Sequence, residues 1–149
     1  MTTLAFSSAG SKFYLSAGVP ATIDAAGFAA LSYTEVKEIT DLGMVGPDSA
    51  VILHNPVGDN TTYKLKGSRN SGAVDLKGAR APTDPGQILL VAAEDSMNPY
   101  AMKVVLANTA GTILYAQVLV MSYKTGVGSQ SQITTFESKC EVSGDVITA

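Results

Sequence analysis

One histidine, His54, and one cysteine, Cys140, are the whole stock of imidazole and thiol in this chain. Nucleophilic catalysis needs a nucleophile with a base beside it. One histidine cannot build a two- or three-histidine centre within a subunit. One cysteine excludes an intrachain disulfide and a four-cysteine zinc site. His54 ends an apolar stretch before Asn55-Pro56, where a structural or surface role is expected. Cys140 falls on the apolar side of an alternating segment and reads as a small buried hydrophobe. Glu35 and Glu38 are near in sequence, but thirteen acids make such neighbours commonplace. The run Gly126-Val127-Gly128-Ser129-Gln130-Ser131 opens like a phosphate loop. It lacks the third glycine and the Lys-Ser/Thr, and it leads into a strand pattern, so no helix dipole faces a phosphate there. The expectation is a protein with no catalytic, cofactor-binding or metal-binding residues, and not an enzyme.

Composition narrows the classes further. The 149 residues suit one domain over 1–149, large enough to bury a core without staples. Ten bases against thirteen acids argue against a dedicated nucleic-acid binder, which presents an excess of Lys and Arg. With no tryptophan, sugar stacking on exposed aromatics has little support. Residues 1–15 hold no apolar run long enough for a signal-peptide core, and no stretch approaches ~20 apolar residues, so no membrane span is expected. Asn60-Thr61-Thr62 matches a glycosylation sequon, which means little without a secretory signal.

The elements that must position these residues are mostly strands. Residues 12–16 read as a short strand and 21–30 as irregular or one weak helical turn. In residues 34–42, Val36, Ile39 and Leu42 fit a helix by spacing, or a strand with a bulge between Lys37 and Glu38. Residues 43–49 read as a turn, 51–54 as a strand, and 67–72 as a polar turn. Tyr63 and Leu65 alternate with Lys64 and Lys66, which predicts a half-buried strand. Val74 and Leu76 alternate with Asp75 and Lys77 in the next. Asp84 is placed to cap a helix over 85–95, with Pro85 at its first position and Gln87 completing a capping box. Strands are expected at 100–107, 113–123 and 133–142, the last with Phe136, Ser138, Cys140 and Val142 on one side. Gly144-Asp145 should end it, with residues 146–149 available to extend the sheet. About seven short strands and one helix suggest a mainly β protein, a sandwich or barrel.

Charge is uneven along the chain. Residues 24–59 hold six acids and one base; residues 60–80 hold five bases and one acid. Two solvated loops would explain this, and so would a molecule with an acidic face and a basic face.

Taken in order, Ala25-Ala26-Gly27-Phe28, Val36-Lys37-Glu38-Ile39-Thr40-Asp41-Leu42-Gly43, Lys64-Leu65-Lys66-Gly67, Asp84-Pro85-Gly86-Gln87 and Tyr100-Ala101-Met102-Lys103-Val104 resemble the major tail tube protein of long-tailed (siphovirus-like) bacteriophages. The order and spacing carry the likeness, not any one motif. The resemblance implies a small β-sandwich or half-barrel with one flanking helix, and a bent strand at 34–42. It implies hexameric rings that stack into a tube through which DNA passes, in a virion tail assembled in the host cytoplasm. The expected partners are further copies, a tape measure protein and a tail terminator, with no membrane contact. A terminator or a secretion-system tube of the same fold is the alternative, and a small β-sandwich binding domain a more distant one. If the charged segments mark opposite ring faces, Asp41, Asp48, Lys64, Lys66 and Arg69 are the candidate stacking contacts.

Overall fold

Alternating burial organises the chain. In the computed structural model, which describes residues 4–149, nine strands and two helices are seen. They run β1 (Lys12–Ser16), α1 (Ala25–Ala29), β2 (Thr34–Val36), β3 (Ile39–Asp41), β4 (Asp48–His54), β5 (Tyr63–Asn70), β6 (Ala73–Ala79), α2 (Pro85–Asp95), β7 (Tyr100–Val105), β8 (Ile113–Gly126) and β9 (Thr135–Thr148). Phe13 and Leu15, Val74 and Leu76, Met102 and Val104, Ala116 and Val118, and Phe136 and Cys140 are buried on the inward side of their strands. They form one core, which Leu90 and Ala93 of α2 complete. On the other face of the sheet, Phe28 of α1 stacks on Tyr115 at 5.6 Å and covers Ala101 in a second, smaller cluster.

Seven strands pair antiparallel in the order β2-β1-β7-β8-β9-β6-β3, whereas β4 and β5 pair only with each other. The outermost strands, β2 and β3, are consecutive in the chain. Val36 ends one and Ile39 begins the other, three residue steps that span at most about 11 Å. Seven strands laid flat at about 4.8 Å spacing would hold their edges about 29 Å apart. The sheet therefore curls until its edges nearly meet, and the expected half-barrel with a flanking helix is what forms. The break falls at Lys37-Glu38, where the residue spacing allows a bulge. Glu38 has a φ of 63°, the one positive φ outside glycine among the described residues.

The first turn of α2 fastens this seam. Asp84 caps the helix as expected, its Oδ2 accepting from the Gln87 N–H at 3.1 Å. The same oxygen accepts from the Lys37 N–H across the seam, also at 3.1 Å. The return half of the capping box does not form. The Asp84 N–H donates instead to the Ala81 carbonyl, and the Gln87 side chain turns away to the seam. Its Nε2 donates to the carbonyls of Lys37 (3.0 Å) and Ala79 (2.9 Å). Its Oε1 accepts from the Ala81 N–H (2.8 Å) and the Tyr123 hydroxyl (3.2 Å). Gly86 lies so close against Glu35 and Val36 that no side chain fits there. Asp84→Ala should thus cost more than a lost cap, about 2–3 kcal/mol, because the Lys37 N–H loses its acceptor as well. Urea unfolding measures it; a loss below about 0.5 kcal/mol would show that the carboxylate fastens nothing.

Several expectations need correction. Nine strands form, not seven. Asp48 and Ser49 belong to β4 rather than to a turn, and residues 67–70 continue β5, so the polar turn shrinks to Ser71-Gly72. Asn70 holds that turn, its side-chain oxygen accepting from the Gly72 N–H at 2.9 Å. Gly144 does not end β9. It takes a φ of +91° and the strand continues, pairing Ile147 with Tyr115 and Thr148 with Leu114.

A candidate assembly surface

β4 and β5 form an arm. Seven residues of strand at about 3.4 Å each make it roughly 24 Å long. Its tip turns through Pro56-Val57-Gly58-Asp59, with the Asp59 N–H donating to the Pro56 carbonyl. The Asp59 carboxylate then accepts from the Thr61 N–H (3.0 Å) and the Tyr63 hydroxyl (2.7 Å). The Tyr63 bond is the main reason the Asp59 carboxyl is held below its usual range, and it raises the Tyr63 phenol in return.

Register assigns the side chains to two faces. Ile52 lies opposite Leu65 and His54 opposite Tyr63, so these four share one face. Val51 opposite Lys66 and Leu53 opposite Lys64 share the other. The alternation of Tyr63 and Leu65 with the two lysines is therefore as the sequence indicates, but the half-burial is not. Leu65 and Val51 are each 63% exposed, and Ile52, Leu53 and Tyr63 are exposed too. Neither face of the arm packs on the half-barrel. A lone two-stranded hairpin is at best marginally stable in water, and this one also shows apolar side chains on both faces.

The candidate contacts fall in two places. Asp48, Lys64, Lys66 and Arg69 all lie on the arm, with Asp48 opposite Asn70 and Ser49 opposite Arg69 at its base. The acidic and basic segments thus meet in one hairpin there, instead of occupying separate regions. Asp41 is elsewhere, in β3 opposite Lys77, its carboxylate accepting from the Gly43 N–H at 2.8 Å. Asp84 is buried in the seam. His54 is exposed near the arm's tip. Cys140 is fully buried, and burial pushes its thiol up to about 12. Among the described residues no three acidic, histidine or cysteine side chains converge as metal ligands.

The sequence reading missed Val51, Ile52 and Leu53 as surface residues. Their signal was present: Ala50-Val51-Ile52-Leu53 puts apolar groups on both faces of β4, while β5 opposite carries Lys64 and Lys66. A strand that cannot turn a polar face to water must be covered on both sides.

A groove of about 620 Å³ opens at one end of the half-barrel beside the seam. Phe13, Val36 and Val104 form its buried floor. Ile39, Leu42, Val45, Leu106 and Leu114 form half-buried walls. Lys12, Glu35, Lys37, Glu38 and Asp41 stand around its rim.

No family model matches the sequence, and no curated protein matches it in sequence. Solved structures do share the fold. A chain of the anti-feeding prophage baseplate superposes with a TM-score of 0.72 at 15% identity, covering 100% of this chain and 97% of that one. A chain of the sheath/tube terminator of the PVC extracellular contractile injection system does so with 0.70 at 10% identity, covering 100% and 99%. The SPP1 tail tube gives 0.64 at 13% identity, covering 93% and 75%. The half-barrel with its flanking helix is therefore the fold of tail-tube and injection-system tube proteins.

Proposed function

We propose that this protein is a structural subunit of a phage-type tail or injection tube, in which copies assemble through the arm and no reaction is catalysed. The observation that carries the reading is the arm itself: Val51, Ile52, Leu53, Tyr63 and Leu65 exposed on a hairpin with no covering layer. Fully burying such a side chain is worth about 1.5–3 kcal/mol, so covering one arm supplies several kcal/mol per junction. The shared fold supports the same reading, because the neighbours come from tube, terminator and baseplate assemblies.

In its finer form the reading is a ring of six copies, stacked ring on ring into a tube that DNA crosses, within a virion tail built in the host cytoplasm. A tape measure protein would set its length and a terminator would end it. Asp41, Asp48, Lys64, Lys66 and Arg69 are the charged groups that would orient one ring on the next, a role in which charge favours correct encounter more than affinity. A second reading, a tube terminator, is favoured by the full-length match to the PVC terminator chain.

Negative-stain electron microscopy of the purified protein separates these. Long tubes are expected from a tube subunit, and single rings that do not elongate from a terminator. A monodisperse monomer at high concentration would overturn both.

A further inference from the structure

We infer that α2 joins copies head to tail, the recess at Arg80 beside its first turns taking the acidic end, Glu94 and Asp95, of a second copy's α2. This rests on the reading that the chain assembles with itself, and it is a contact separate from the arm.

One side of the contact is a cation held ready without a counter-ion. The Arg80 N–H donates to the Thr134 carbonyl at 2.9 Å, which fixes the residue at the end of the sheet. Its guanidinium lies over the Tyr123 ring at 5.2 Å, and Nη1 donates to the Thr125 hydroxyl at 3.0 Å. A guanidinium has five N–H donors, so donors remain for a partner. Among the described residues the one ion pair is Lys139 with Glu141, and no carboxylate meets Arg80. Because the fork is already held, a docking carboxylate immobilises little more of it. Pro82, Ile88 and Val91 wall a recess of about 190 Å³ beside it. Sites that enclose whole ligands hold about 300–1,000 Å³, so this one suits a single side chain.

The other side is a pair of acids at the wrong end of a helix. Aligned peptide dipoles leave a helix C-terminus partly negative, where bases are favoured and acids are not. Yet α2 ends in Glu94-Asp95 and has no base in its last turn. Both acids are exposed, and among the described residues no base pairs with them. A guanidinium from a second copy supplies the missing charge. Met97, 93% exposed, follows at once and offers an adaptable apolar side chain to the recess.

Ile88, Val91 and Asp95 follow at spacings of three and four, so they share one side of α2. That side is apolar near Arg80 and acidic about 10 Å further along the axis. The giving and receiving ends are thus different surfaces of one chain. Their contact is heterologous, and every copy that gives its acidic end still has a recess to fill.

Light scattering and electron microscopy of purified variants at low salt test this. Glu94→Arg/Asp95→Arg should slow assembly at least tenfold, less so as salt screens the contact. The same change should raise the unfolding midpoint of the unassembled subunit, because bases suit the helix end. A merely structural role for these acids would move both readouts together. Arg80→Glu should slow assembly as much, and all three reversals in one chain should restore at least half the unaltered rate. If Arg80→Glu does not fold, Arg80→Gln replaces it, and adding the acid reversal should then slow assembly no further. Normal assembly of the acid reversal would overturn the contact. So would a triple reversal that recovers nothing, or an acid reversal that slows Arg80→Gln as much as it slows the unaltered chain. Assembly through the arm would stand in each of these cases. If the unaltered chain stays monomeric, the broader reading falls and this contact with it.

Discussion

Gln87→Ala is expected to lower the unfolding free energy by about 3–5 kcal/mol. The side chain is 2% exposed and makes four hydrogen bonds. Three of its partners are backbone groups in the seam: the Lys37 and Ala79 carbonyls and the Ala81 N–H. Truncation takes the bonding partner from all three. Each unpaired buried polar group costs about 1–3 kcal/mol. Alanine improves helix propensity by less than about 0.7 kcal/mol, which cannot offset that loss. With Asp84, this side chain bridges the two edges of the sheet, so unfolding should stay cooperative while its urea midpoint falls. A loss under about 1 kcal/mol, the low end for a single unpaired group, would mean that the seam is held by something else.

Gly86→Ala sets two effects of opposite sign against each other. Glycine in a helix costs about 1 kcal/mol relative to alanine, so propensity alone predicts a gain. A Cβ at this position, however, would press on the Glu35 carbonyl oxygen and come within 2.5 Å of the Val36 Cα. Both are backbone atoms of β2, and no rotamer change moves them aside. Relief would require shifting the strand that ends the sheet, and overpacking of that kind costs about 1–3 kcal/mol or more. The net expectation is a loss of at least about 1–2 kcal/mol, seen as a lower thermal midpoint. Gly58 is the control. Nothing lies within 4 Å of the place a methyl group would take there, and alanine should change stability by less than about 0.5 kcal/mol. A higher midpoint for Gly86→Ala would mean that β2 does not pack directly on the helix.

What could be read in advance divides by distance along the chain. α2 was legible from its own residues, because cap, first-turn proline and apolar run all lie between 84 and 95. β9 was legible because Phe136, Ser138, Cys140 and Val142 alternate without interruption, and all four are buried. The seam was not legible, since the bond from Gln87 to Lys37 joins residues fifty positions apart and leaves no local trace. Nor was the extent of β5. Gly67 ordinarily suggests a turn, but here it sits inside the strand, where the Ile52 side chain occupies the space above it. Burial on the arm differs from the sequence expectation for a physical reason. Alternation shows which side chains share a face, not what covers that face, and here no strand or helix of the half-barrel covers it.

The strand order also fixes a sequence of events during synthesis. β1 pairs with β7, so Leu15 waits for Met102, and about ninety residues must be added before the first strand finds its long partner. At roughly 5–20 residues per second on the ribosome, that delay is about 5–18 s. The arm needs no such wait, because β4 and β5 are neighbours and hairpins close in about 1–10 μs. The arm, with apolar side chains exposed on both faces, can thus close seconds before the half-barrel beside it. Neighbouring ribosomes on one message hold such arms close together during that interval. Crowded translation is then the stage at which this chain is most exposed to mispairing, and fast elongation on well-spaced ribosomes shortens that exposure.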